Sequence, residues 1–229
     1  MKPIAIWYHT LFFHGAPDHP ALGGFTICKE QMGLVKSSGL EDVASEIHIG
    51  VNGGMESEVY ARQSLPEKAT VYYQGVDEGS ETPTMVRMWE WAKTHPGWYV
   101  LYFHCKGATH TDVEYLKFVT KWRHCMMNAC VANWRQCVSD LDAGFDSVGC
   151  HWMTNMSPPS DKDAIWGGNF FWATSDFLAT LPDILDRDLI KTHGKAAPIA
   201  RYEGERWIGS GPRLPKVKDY HVNGIGSCP

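Results

Sequence analysis

The chain has 229 residues, a net charge of −5 and 44% apolar residues, enough to bury a substantial core and too apolar for disorder to dominate. It carries no run of Lys or Arg that would form a phosphate-tracking stripe, which argues against direct nucleic-acid binding. No stretch approaches the ~20 consecutive apolar residues of a membrane span, and the N-terminus, Met1 to His9, turns polar too early for a secretory segment.

A cytoplasmic protein is the resulting expectation. Its seven cysteines, with no Cys-x-x-Cys pair, read as reduced thiols, several of them buried as small apolar groups. Eleven histidines invite a metal reading, yet no His-Glu-x-x-His and no compact His/Cys pair of known ligand spacing is present, so no metal ligand set is assigned.

In chain order, Ile4 to Tyr8 reads as a first strand that opens into His9-Thr10 and a loop rich in His, Gly and Pro. Thr26 to Ser38 has a helical apolar face, with Thr26 as N-cap and Gly39 as the stop. Ile47 to Val51 and Val71 to Tyr73 are the second and third strands, the latter followed by an acid-rich loop from Gly75 to Thr82. Met85, Met88, Trp89 and Ala92 recur at helical spacing from Pro83 onward, and Pro96 lies beyond the end of that helix.

Trp98 to Phe103 is an unbroken aromatic and branched run, the pattern of a strand buried on both faces of a parallel sheet. It stops abruptly at His104-Cys105-Lys106-Gly107. Ligands of open α/β sheets bind beyond the carboxyl ends of central strands, so this turn is a candidate site, with Gly107 letting a ligand approach the backbone. Thr111 to Glu114 forms a capping box for one long helix that Gly144 ends. Asp146 to Cys150 is a further strand, Met153 to Asp163 a flap, and Trp166 to Ala173 an aromatic strand. Ser175 then caps a short helix ending at Pro182, and a charged motif, Arg201 to Gly209, leads into a glycine-rich tail. The alternation predicts a single α/β domain over residues 1–229, with a mainly parallel sheet and helices on both faces.

Polar clusters fall at these strand ends and loops: Tyr8-His9-Thr10, Thr82-Pro83-Thr84, His104 with Lys106, Gly168-Asn169 with Trp172, and Glu203 and Glu205 with Arg201 and Arg206. Loops at one sheet edge converge, so their joint occurrence outweighs any member. No Gly-x-Gly-x-x-Gly follows the first strand and no Walker sequence exists, which removes the dinucleotide dehydrogenase and P-loop readings, and the lack of a Gly-x-Ser-x-Gly elbow weakens a hydrolase.

Three of these stretches carry a resemblance. Tyr102-Phe103-His104-Cys105-Lys106-Gly107, Trp166-Gly167-Gly168-Asn169-Phe170-Phe171-Trp172-Ala173 and Arg201-Tyr202-Glu203-Gly204-Glu205-Arg206-Trp207-Ile208-Gly209, in that order, resemble a family of bacterial and phage-type glycosyltransferases. That family has a His-Thr-Lys-Gly strand end, a Gly-Asn-Phe-Trp-Trp-Ala motif and a Glu-x-Trp-Ile motif. The resemblance implies a GT-A-like sandwich and a transferase that moves a sugar from a nucleotide-sugar donor, such as a UDP-sugar, to the hydroxyl of a glycan or other acceptor in polysaccharide assembly.

On that resemblance Tyr8, His9, Thr84, His104, Lys106 and Gly107 bind the donor, and Gly168, Asn169, Trp172 and Arg201 meet the sugar or acceptor. Glu205, and after it Glu203, is the candidate general base. The metal-binding Asp-x-Asp of many such enzymes is missing from the fourth strand's end, where His104 and Lys106 stand. An ammonium or imidazolium can offset the charge of a leaving diphosphate as a metal does, so divalent-metal dependence stays open, with Asp161 and Asp163 as outside candidates. Plain readings stand beside these: Trp172 as a core aromatic, Asn169 as a turn residue, and Glu203 and Glu205 as partners of Arg201 and Arg206. The rival functions are a non-catalytic nucleotide- or sugar-binding protein and a metal-dependent hydrolase.

Overall fold

A computed structural model of the chain describes residues 1–12, 23–53, 65–74, 81–110, 112–154, 164–185 and 200–221, the last stretch without the side chains of 200–203. Asp161, Asp163 and the acid-rich loop up to residue 80 lie outside the described residues. The fold is built on β1 (Ile4–Phe12), buried along its whole length. β1 pairs in parallel with β2 (Glu46–Gly53) on one side and with β4 (Tyr99–His104) on the other, and β3 (Thr70–Tyr73) pairs in parallel with β2.

Beyond β4 the sheet continues through β8 (Phe171–Thr174), β5 (Ser147–Gly149) and β9 (Val217–Asp219), in the order β3-β2-β1-β4-β8-β5-β9. Among the described strands of this sheet, only β8 runs against its neighbours. The sheet is thus mainly parallel and the fold α/β, as the alternating elements predict.

Strand alternation divides the core into two layers. Ile4, Ile6 and Tyr8 of β1 and Tyr99, Leu101 and Phe103 of β4 face one layer. That layer is closed by α1 (Gly24–Ser37), the short α2 (Leu40–Val43), α4 (Val113–Met127) and α5 (Trp134–Asp142). Ala5, Trp7, Val100 and Tyr102 face the other, closed by α3 (Thr82–Thr94), α6 (Ser175–Leu178) and α7 (Ala200–Trp207).

Several boundaries differ from the expectations. The long helix is broken between α4 and α5 by a π-helical turn at Asn128–Ala132, an insertion that apolar periodicity does not register. Its cap is Asp112, whose carboxylate accepts from the Tyr115 amide at 2.7 Å; the expected cap, Thr111, lies outside the described residues. α1 starts before Thr26, with Gly23 at the N-cap. Thr174 rather than Ser175 caps α6, because the Ser175 hydroxyl accepts from the Trp98 amide at 2.9 Å.

The aromatic stretch 166–173 is two strands rather than one. β7 (Ile165–Trp166) pairs with β6 (Trp152–Met153), and Gly168 and Asn169 then take left-handed φ values of +85° and +58°. Two consecutive left-handed residues cannot continue a strand, so the chain turns and restarts as β8.

Cys28, Cys105, Cys130, Cys137 and Cys150 are free and buried, as expected, but Cys125 is disulfide-bonded, which departs from the expectation of reduced thiols throughout. Among the described residues no helix is long and apolar enough to cross a membrane.

Candidate functional site

The parallel register sets His9 of β1 beside His104 of β4, both at the carboxyl edge of the sheet. His9 is buried, and its Nδ1 shares a 2.9 Å hydrogen bond with Thr84 Oγ1 in the first turn of α3. Thr84 Oγ1 also meets the Gln74 side-chain amide, accepting from Nε2 at 3.0 Å and donating to Oε1 at 3.4 Å. Gly50 of β2 makes room for this arrangement, since a Cβ there would stand 1.9 Å from Thr84 Oγ1. Burial, and secondarily the charge of His104, push the His9 imidazole down to about 3, so the ring is neutral at ordinary pH. Among the described residues, its Nε2 is buried without a hydrogen-bond partner.

A second set of contacts joins the three motif stretches. His104 Nε2 donates to the Gly168 carbonyl at 2.9 Å. Asn169, fully buried, donates from Nδ2 to Glu81 Oε1 at 3.0 Å, while its Oδ1 is buried without a partner among the described residues. Glu81 also accepts from the Tyr102 hydroxyl at 2.5 Å. Burial, and next the Glu81 charge, hold the Tyr102 phenol well above its ordinary value, so it stays a donor. Gly204 of α7 closes the group, because a Cβ there would sit 3.0 Å from both Glu81 Oε1 and Met85 Sδ.

Glu81 thus touches β4, the 167–169 turn and α7 at once. No sequence motif marks it; its one signal is an acid directly before the Thr82-Pro83 helix start. Glu81→Ala orphans the buried Tyr102 hydroxyl and Asn169 amide, so a loss of about 2–4 kcal/mol is expected. The melting temperature should fall by roughly 5–15 °C. A calorimetric melt checks this, and an unchanged melting point would remove Glu81 from its organising role.

Other sequence candidates fall elsewhere. Tyr8 and His9 are adjacent on a strand and so face opposite layers. Tyr8 is fully buried on the α1 side, donating to Gln31 Oε1 at 2.9 Å and packing on Phe103, and does not share the His9 pocket. Trp172 lies in that same far layer, fully buried, with its indole N–H on the Cys130 carbonyl at 2.7 Å. It is a core aromatic and not a sugar platform. Gly107 has φ +100°, and a Cβ there would meet Val119 at 3.0 Å. The glycine therefore admits α4 rather than a ligand.

The Lys106 ammonium sits 4.2 Å above the Trp122 ring. Glu205 is partly buried beside Gly204 on α7, while the side chains of Arg201 and Glu203 lie outside the described ones. The end of β4 does not suit a hard divalent ion. It presents an imidazole already bonded to Gly168, an ammonium, and Cys105, whose sulfur accepts from the Leu11 amide at 3.0 Å, in place of carboxylates.

Residues 8–192 match the family described as Domain of unknown function (DUF8361). The chain belongs to this family. The DUF8361 match spans every pocket residue named above except Gly204 and Glu205. A search of curated proteins finds no match.

Among solved structures, the DUF8361 chain is similar to Rv0371c of Mycobacterium tuberculosis H37Rv in complex with manganese, at 13% identity and TM-score 0.46, over 97% of this chain and 89% of that one. It is also similar to a protein of Desulfovibrio desulfuricans G20 assigned to the nucleotide-diphospho-sugar transferases, at 12% identity and TM-score 0.46, over 96% and 80%. Glucosyl-3-phosphoglycerate synthase of Mycobacterium tuberculosis, with Mn²⁺, uridine diphosphate and phosphoglyceric acid, is similar at 13% identity and TM-score 0.41, over 79% and 58%. Likeness at this level carries no argument about the chemistry of the DUF8361 pocket, which rests on its own residues.

Proposed function

We propose that the chain is a nucleotide-sugar-dependent glycosyltransferase, moving a sugar from a donor such as a UDP-sugar to an acceptor hydroxyl in glycan or polysaccharide assembly. One observation carries the reading. Three stretches separated by some sixty and thirty-five residues, each resembling a glycosyltransferase motif, meet around Glu81: His104 bonds Gly168, Asn169 bonds Glu81, and Gly204 packs on Glu81.

Two further facts support a polar ligand here. Among the described residues, His9 Nε2 and Asn169 Oδ1 are buried polar atoms without a hydrogen-bond partner, an arrangement native proteins rarely keep unless a ligand or water completes it. The N-terminus of α3 at Thr82 adds a positive dipole end suited to phosphate.

In this reading His9 and Thr84 hold the nucleotide, and His104 and Lys106 face the diphosphate. Gly168 and Asn169 shape the sugar subsite, and Arg201 meets the acceptor. Glu205, with Glu203 as the second choice, takes the acceptor proton as the sugar's anomeric carbon leaves the diphosphate oxygen. The developing negative charge on that oxygen is offset by the Lys106 ammonium and by His104 when protonated.

Release of nucleoside diphosphate from a panel of nucleotide sugars, with and without Mn²⁺ or Mg²⁺, tests the proposal. Tight donor binding with no release from any donor would favour a binding protein without turnover. A chelator-sensitive phosphatase or esterase activity would favour the hydrolase reading instead. For Lys106→Ala, about tenfold weaker binding of uridine diphosphate is expected by calorimetry, the worth of one charge-assisted contact of about 1.4 kcal/mol. Equal affinity would take Lys106 out of the site.

A further inference from the structure

At the carboxyl ends of β5 and β9, Cys150, His151 and His221 come together. The Cys150 sulfur and one nitrogen of each imidazole all lie within 4.8 Å of one another. Cys150 and His151 are fully or nearly fully buried, at 0% and 4% exposure, and His221 is partly buried. Among the described residues, His151 Nε2 and His221 Nδ1 are both buried without a hydrogen-bond partner, and Cys150 is a free thiol. Two imidazole nitrogens thus give up water and gain no partner in return, a cost that a bound ligand would offset.

The backbone is arranged to make this cluster. Adjacent residues of an extended chain point to opposite sides, so Cys150 and His151 would ordinarily diverge. His151 instead takes φ +70°, a left-handed value that disfavours any non-glycine residue. Asp219 holds that conformation: its carboxylate accepts from the amides of His151 at 2.9 Å, Trp152 at 3.0 Å and His221 at 2.8 Å. One partly buried acid thereby fixes the backbone of both histidines, and their rings lie 3.9 Å apart between centroids, tilted by 40°.

From this geometry we infer that Cys150, His151 and His221 form a binding site for a zinc-like divalent ion, with one thiolate and two imidazole ligands. The ligand chemistry selects the ion. A thiolate with two imidazoles suits borderline-soft zinc rather than magnesium, calcium or manganese, which prefer oxygen. Bond lengths of about 2.0–2.3 Å bring the three donors closer than their present spread, a change that side-chain rotation supplies. Binding releases the thiol proton to solvent, so affinity rises with pH. Three protein ligands leave a fourth position for water or a substrate oxygen.

The cluster lies near the Lys106 turn and the 167–169 turn, and its assignment does not depend on the proposed function. The His151 ring is 6.1 Å from that of Trp122, over which Lys106 lies, and Gly167 packs on the His151 side chain.

The test uses the purified full chain, stripped with a chelator and then titrated with Co²⁺ and with Zn²⁺ against a competing chelator. One Co²⁺ per chain with a thiolate-to-metal charge-transfer band is expected, displaced by Zn²⁺. Cys150→Ser should abolish the band, and His221→Ala should weaken Zn²⁺ affinity by about a hundredfold, comparable to losing a ligand or its support. His221 is only partly buried, so this variant keeps the test open should Cys150→Ser not fold. Absence of the charge-transfer band in the native chain, or Zn²⁺ affinity unchanged in a folded His221→Ala protein, would overturn the inference.

Discussion

Glu205→Gln is expected to lower turnover about 10²- to 10⁴-fold, the usual contribution of a positioned general base, with a melting temperature close to that of the native chain. Glutamine keeps the length and shape of the side chain and removes its basicity, so an effect on rate without an effect on folding isolates the proton-transfer role. The position favours such a role. Glu205 follows Gly204, whose missing side chain lets α7 close on Glu81 and Met85, and it is partly buried rather than solvated on the outer face of the helix. Initial rates at saturating donor, together with a thermal melt, decide the matter. A normal rate would remove Glu205 as the base, and loss of folding would mean that its carboxylate is structural.

A second large effect is expected in acid. His9 is held neutral by burial, with its folded value near 3 against an ordinary value of 6.5. Once pH falls below 6.5 the unfolded chain binds a proton at this residue that the folded chain refuses. Stability is therefore undiminished above pH 6.5 and declines as pH falls, until the folded value near 3 is reached. The slope from this one group is about 1.4 kcal/mol per pH unit, so roughly 2–3 kcal/mol is lost between pH 7 and pH 4.5.

His104, beside His9 in register, contributes to the shift by its charge, while Thr84 engages Nδ1 without supplying a counter-charge. Urea unfolding of the native chain and of His9→Gln at both pH values separates this term from the carboxylates. The variant should lose less stability by about that amount. Equal losses in the two proteins would mean that His9 is protonated in the folded state.

Much of the fold was legible because its determinants are local. The unbroken apolar run of β4, the helical spacing of Met85, Met88 and Ala92 in α3, and the glycine and proline stops each act within a few residues. The site was legible in part for the same reason. His104 follows the apolar run that predicts β4, Thr84 stands at a predictable helix start, and Gly168-Asn169 lies in a recognisable motif. Where the reading failed, a local device broke the expected period. The π-helical turn at Asn128–Ala132 interrupts the long helix, and the left-handed Gly168 and Asn169 divide one predicted strand into two.

The sequence by itself determined the alternation of elements, the mainly parallel sheet and the strand end at His104, since these follow from periodicity and chain connectivity. Only the tertiary structure decided which polar groups share a face. Strand parity sends Tyr8 into the core and His9 into the pocket, although they are neighbours in the chain. Sheet order brings Glu81 to Tyr102 and Asn169, and the register of β5 with β9, held by Asp219, brings His221 to Cys150 and His151. Such contacts join residues 21 to 88 positions apart. Their existence depends on the cooperative packing of the whole sheet, for which no short stretch of sequence carries a signal.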